Sequence, residues 1–126
     1  ADKGEAQMRV YVTSNGNTIA YGLNGSQAAK DLYAQLPLTI EVEDYSTNEK
    51  IFYPPGKLDA SDAPVADAGK GTLAYYAPWG DVVMFYGHFG KGSSLYELGT
   101  VISGEEFIEA LSGSVLITGE NETAQE

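Results

Sequence analysis

Cysteine is absent from this chain of 126 residues, and arginine, histidine and tryptophan occur once each, as Arg9, His88 and Trp79. The lack of thiols removes disulfides, thiol nucleophiles and thiolate metal sites together, and it suits a reducing compartment and a disulfide-free exported protein equally. With one His, a metal site would have to be built from carboxylates. Basic residues are also scarce. Seven Lys and Arg stand against 18 Asp and Glu, a formal net charge of −11, which repels phosphate backbones and anionic head groups and leaves no basic stripe to hold them. Nucleic acid and membrane surfaces are therefore not expected partners. No apolar run approaches the roughly 18 residues of a membrane span, so membrane insertion is not expected either.

What the chain does have is concentrated between residues 73 and 90. Two nearly continuous apolar and aromatic runs, 73–77 and 82–86, flank Pro78-Trp79-Gly80-Asp81, whose Pro and Gly suit a turn and fit neither a helix nor the middle of a strand. Such runs predict the innermost strands of a sheet or barrel.

Around that pair the periodicity changes from element to element. Residues 8–13 alternate, and a second strand begins at Thr18 across Asn15-Gly16, the dipeptide that best tolerates the two positive φ angles of a type I′ turn. A helix is predicted over 27–36, where Ala28, Ala29, Leu32, Tyr33 and Leu36 recur at helical spacing, Ser26 can cap the start and Pro37 stops continuation. Residues 38–43 alternate strictly and predict a strand with one wet face, followed by a shorter strand at 50–53. From 54 to 71 the composition shifts to Pro, Gly, Ala, Asp and Ser, which predicts one long surface loop. Residues 94–102 and 115–118 read as further strands. Between them Ser103-Gly104-Glu105-Glu106 reads as a capping box opening a short second helix that carries Phe107, Ile108 and Leu111, with Gly113 as its left-handed stop. Seven or eight short strands and two helices suggest a barrel or a sandwich.

One domain is expected over 8–118, with flexible polar tails at 1–7 and 119–126. The opening residues, which lack an initiator Met, read as a tether left by processing or as an artificial boundary. Export to a periplasmic or surface-tethered location is preferred over a cytoplasmic one.

Several motifs in order, Leu36-Pro37-Leu38-Thr39 after a helix, Phe52-Tyr53 before a Pro-rich loop, Tyr76-Ala77-Pro78-Trp79-Gly80 with Phe85-Tyr86, then Leu98-Gly99, resemble the small bacterial cyclophilin-like proteins. The resemblance spans residues 8–118. It implies a mostly β fold: a closed antiparallel eight-stranded cyclophilin-like barrel with two short helices capping its ends. True cyclophilins isomerise X-Pro bonds with an Arg in a Phe-His-Arg strand, a Gln, and a wall of Phe, Met, Trp and His. The matching segment here is 49–56, which has Lys50 but no Arg, and a lysine is a point charge without the planar fork of a guanidinium. Phe85 corresponds to the Phe of the Gln-Phe-Phe strand, and the Trp and His of the wall would fall at 92–95, where neither residue type occurs.

Each remaining motif has a plain alternative. His88, between glycines, reads as an exposed loop residue or as a ligand contact at a pocket rim. The glycines around it lack the Lys-Ser/Thr of a phosphate loop. The acidic runs 41–44 and 59–62, with Asp67, lack the ligand spacing of a calcium loop and read as solvated charge. Ser93 and Ser94 have no Gly-x-Ser-x-Gly context. No cofactor, metal site or catalytic residue is expected. Adjacent strand residues face opposite sides, so Tyr75 and Tyr76, and likewise Phe85 and Tyr86, cannot both be inside. The surplus of outward aromatics points to a non-catalytic domain that binds a small molecule or an extended peptide at an aromatic-rimmed groove around Phe52, Tyr53, Trp79, Phe85, Tyr86 and His88. The alternatives are a divergent peptidyl-prolyl isomerase and a structural or accessory exported domain.

Overall fold

A computed structural model describes residues 7–122. Those residues form nine strands: β1 (Gln7–Ser14), β2 (Asn17–Leu23), β3 (Leu38–Tyr45), β4 (Glu49–Phe52), β5 (Val65–Ala68), β6 (Thr72–Tyr76), β7 (Asp81–Phe85), β8 (Gly90–Ser103) and β9 (Gly113–Glu122). One helix, α1 (Gln27–Ala34), and a 3-10 turn at Glu105–Phe107 complete the regular structure. Eight strands are hydrogen-bonded in the order β2-β1-β9-β3-β4-β7-β6-β8, and β8 pairs back onto β2, so the sheet closes into an antiparallel barrel. β5 stands outside that ring, paired with β8 alone.

The β1–β2 hairpin turns on Asn15 and Gly16 at φ 52° and 81°, the pair of left-handed angles that Asn-Gly tolerates best. In α1 the Ser26 hydroxyl accepts from the Ala29 amide at 3.2 Å, and Ala28, Ala29 and Leu32 are fully buried in the barrel interior. Gly119 of β9 makes room for this helix end: a Cβ there would lie 2.7 Å from Cε1 of Tyr33. The 3-10 turn sits at the other end of the barrel. Leu23, after which the chain leaves for α1, pairs with Gly99, whereas Ala20, at the start of β2, pairs with Ser103, after which the chain enters the turn.

Three expectations need correction. Ser103 does not cap a helix. Gly104 takes that position at φ +83°, no side chain caps the turn, and Ile108 and Leu111 reach the core from a single 3-10 turn and the residues after it. The segment 54–71 is not one surface loop, because β5 lies inside it with Ala66 and Ala68 buried, and Leu58 enters the barrel core. Its first half is tied down. The Gln35 amide brackets Gly56, donating to its carbonyl at 3.1 Å and accepting from its amide at 2.9 Å. Asp31 accepts from the Asp59 amide at 2.8 Å, and Asp62 from the first helical amide, Gln27, at 2.9 Å. Finally, residues 1–6 and 123–126 of the expected tails lie outside the described residues, while Gln7 and Glu122 pair with one another at the ends of β1 and β9.

Two apolar clusters result. The larger fills the barrel and includes Tyr21, Phe52, Tyr75, Val82 and Met84. The smaller lies on the opposite face of β4, β6 and β7, where Ile51, Ala74, Val83 and Phe85 meet Leu95, Ala66 and Ala68. Tyr21 is fully buried, and its hydroxyl has no hydrogen-bond partner among the described residues. A desolvated hydroxyl without a partner costs free energy that Phe would not. Tyr21→Phe is therefore expected to hold or raise stability, by up to about 1 kcal/mol in thermal or urea denaturation. A loss greater than that would mean the hydroxyl is satisfied in solution.

Candidate functional site

The second cluster forms the floor of a cleft on the barrel's outer wall, about 410 Å³ in volume. Alternation along β7 sends Asp81, Val83 and Phe85 outward, and Val82 and Met84 inward. On neighbouring β4, Glu49 lies opposite Phe85 and Ile51 opposite Val83. Tyr76 of β6 pairs with Asp81. The rim is aromatic. Trp79, in the β6–β7 turn, sets its ring edge-on to Tyr45 at 5.3 Å and to Tyr76 at 5.6 Å, so the turn is linked through side chains to the end of β3. Phe89 packs on Phe85 at 5.5 Å from the other side. Beyond it, Gly92 and Leu95 complete the wall, at an irregularity where β8 spends extra residues against β5 and Ser94 adopts φ 66°. Bulges of this kind bend a strand and re-aim its side chains beside functional clefts. A Cβ at Gly92 would lie 3.0 Å from Cε2 of Phe89, so that glycine keeps the wall open.

The residues singled out in the sequence separate here. Trp79, half exposed, and Phe85, buried, both line the cleft. Phe52 does not: it faces the barrel interior, and Tyr86 packs against the same interior cluster. Tyr53 is exposed beyond the end of β4, where partial desolvation and, to a smaller extent, the nearby charges of Asp81 and Glu43 raise its phenol above the usual range. His88 is exposed outside the lining, and its carbonyl accepts from the Asn48 amide group at 3.1 Å. The cleft thus brings together two of the six and adds Tyr45, Tyr76, Phe89 and Leu95.

It also adds two acids that sequence reasoning missed, Glu49 and Asp81. Both are buried, at 8% and 2% exposure, and both line the cleft. Desolvation pushes the Glu49 carboxyl above its ordinary value, and the charge of Asp81 pushes it further. Desolvation likewise raises Asp81, against a smaller opposing effect of a backbone hydrogen bond. The Oδ1 of Asp81 has no hydrogen-bond partner among the described residues. Lys50, adjacent to Glu49, points to the other face of the strand, where its ammonium contacts Asp44 and lies 5.9 Å from the Tyr86 ring. Arg9, on β1, is three strands away from β4 in the barrel order.

A closed eight-stranded antiparallel barrel, plugged at both ends and grooved on its outer wall, is the architecture that the resemblance to cyclophilin-like proteins implies. The chain belongs to the cyclophilin-like family, whose model matches residues 12–120. Among solved structures, it is similar to the hypothetical protein AF2241 from Archaeoglobus fulgidus, with a TM-score of 0.70 at 14% identity over 89% of this chain and 94% of that one. It is similar also to the Mimivirus cyclophilin, with a TM-score of 0.61 at 12% identity over 99% and 96%. At those identities the likeness carries the fold. No curated protein matches the chain. Among the described residues no helix is long and apolar enough to cross a membrane.

Proposed function

We propose that the chain is a non-catalytic binding domain that takes a small molecule or an extended peptide in the outer-wall cleft. The observation that carries this reading is the cleft itself. Apolar floor residues, an aromatic rim and a few polar groups, in a volume of about 410 Å³, are what small-ligand sites are made of. The position of Arg9 supports a binding role over isomerisation, since the one guanidinium of the chain is built into a different part of the wall. A divergent peptidyl-prolyl isomerase is the second reading. It is favoured by one observation: Phe85, which the resemblance matches to a Phe of the cyclophilin site, shares one cleft with Gly92 and Leu95, from the segment where that site's Trp and His would fall although neither occurs here.

A two-dimensional NMR titration with an Ala-Pro peptide and a set of small-molecule fragments separates the readings. Binding alone predicts shifts clustered at Tyr45, Trp79 and Phe89 with no change in the peptide's cis–trans exchange. Faster exchange in the same samples would establish the isomerase, and no shift in the cleft with any ligand would overturn both. Trp79→Ala is expected to leave a folded barrel, at a cost of about 1–2 kcal/mol from its two edge-on ring contacts. It should also weaken ligand binding about tenfold, as loss of a large aromatic contact does. A large loss of stability instead would assign Trp79 to the fold.

A further inference from the structure

We infer that the cleft selects a small organic cation, an ammonium group on an apolar body, with Asp81 and Glu49 as its anionic partners; this rests on the binding reading above. Three independent features of the cleft converge on that chemistry.

The first is an acceptor without a donor. Asp81 is 98% buried by its 2% exposure, it lines the cleft, and its Oδ1 is unpartnered among the described residues. Buried carboxylates are normally paired or hydrogen-bonded, because a carboxylate out of water and without a partner is costly. A ligand N–H supplies what the protein does not. The second is a second acid on the same outward face. Glu49 stands at the other end of the Val83 floor, beside Phe85, and no lysine or arginine among the described residues forms an ion pair with either acid. Lys50, the nearest cation in sequence, is held on the opposite face by Asp44. Two uncompensated carboxylates facing one cavity repel an anionic ligand and favour a cationic one. The desolvation that raises both carboxyls fits this environment, since a bound cation would offset it.

The third feature is the rim. Trp79 and Tyr76 are edge-on to one another beside Asp81, and Trp is the aromatic whose face attracts a cation best. Phe85 and Phe89 offer an apolar wall for the body of the ligand. The chain's net charge of −11 adds a long-range attraction of the same sign. A neutral ligand without a donor would use the rim and leave the Asp81 Oδ1 unpartnered. A cationic one uses both.

Three indoles that differ only in charge test the inference on the full chain: tryptamine, the neutral tryptophol and the anionic indole-3-propionate, each titrated at neutral pH and moderate salt. Tryptamine is expected to bind about tenfold or more tightly than tryptophol, the scale of one charge-assisted hydrogen bond, with shifts at Trp79, Asp81 and Glu49. Indole-3-propionate should be the weakest. Asp81→Asn and Glu49→Gln, in folded protein, should abolish the preference for tryptamine while tryptophol still binds. Equal binding of the three overturns the cation inference and leaves the cleft reading intact. So does tryptamine failing to bind while fragments or the Ala-Pro peptide still occupy the cleft. If no probe of any charge shifts the cleft residues, both readings fall together.

Discussion

Gly99→Ala is expected to lower the stability of the barrel by about 3 kcal/mol or more, a large share of the roughly 5–15 kcal/mol that holds a domain of this size together. Gly99 sits where β8 is paired on both edges, with Leu23 of β2 on one side and Leu73 of β6 on the other. A Cβ there would lie 2.1 Å from the Gly22 carbonyl oxygen and 3.0 Å from both the Gly22 carbonyl carbon and the Leu23 Cα. All three are backbone atoms, so no side chain can rotate away. The strands themselves must separate, and the β2–β8 seam is the one that closes the ring. Gly25→Ala is the matched control, since a Cβ at Gly25 meets nothing within 4 Å; it should change stability by less than about 0.5 kcal/mol. Thermal denaturation of the two variants side by side decides the point. The midpoint of Gly99→Ala should fall by roughly 10 °C or more. A Gly99→Ala protein as stable as the control would mean that the seam has slack the backbone geometry does not show.

The same seam illustrates which parts of this structure could be read from sequence and which could not. Local rules sufficed for the Asn15-Gly16 hairpin and for α1, because their signals, two left-handed residues and a Ser cap ahead of a helical stripe, act within a few residues of where they are needed. The second helix is present as a 3-10 turn, but its expected Ser103 cap is not, for an equally local reason that only the fold reveals. Gly104 packs against the Thr18 carbonyl, where a Cβ would come within 2.4 Å, so that residue is committed to a backbone contact and to φ +83° instead of leaving Ser103 to cap a helix. β5 escaped notice because Val65-Ala66-Asp67-Ala68 has little strand propensity of its own. Its alanines are buried because the first half of β8 continues past the barrel and pairs with them.

In the candidate site, the aromatics were visible as a surplus, but two pairs of them were adjacent in sequence. Phe52 and Tyr53 cannot share a strand face, nor can Phe85 and Tyr86. Carried one step further, the same parity places Asp81 on the face of Phe85 and Glu49 opposite to Lys50. The signal for the acids was therefore present. What the sequence could not supply was the pairing of β4 with β7 that sets Glu49 beside Phe85, a contact across more than thirty positions of chain.

Those two acids give the second large effect: Glu49→Gln and Asp81→Asn should each make the protein more stable near pH 7, by about 1 kcal/mol or more, because a desolvated carboxylate carries a cost that a neutral amide of the same shape does not. The sign follows from linkage. Both carboxyls have folded-state values raised above those of the unfolded chain, chiefly by desolvation and, for Glu49, also by the charge of Asp81. Between the unfolded and the folded value the native state holds more protons, so stability falls as pH rises through that window and the penalty is complete above it. Below the unfolded value, about 4 for such groups, both states are protonated and the penalty vanishes. Urea denaturation from pH 4 to 8 should therefore show the wild type losing stability relative to each variant as pH rises, with the curves converging at the acid end. Because each charge raises the cost of the other, removing one relieves part of the burden on its partner, and the double variant should gain less than the two single gains added together. Full additivity would mean that the two acids do not act on one another, and a wild type that gains on the variants with rising pH would mean that both are satisfied as anions. A cationic ligand would supply the missing compensation, and its addition should flatten the wild-type pH profile towards that of the variants.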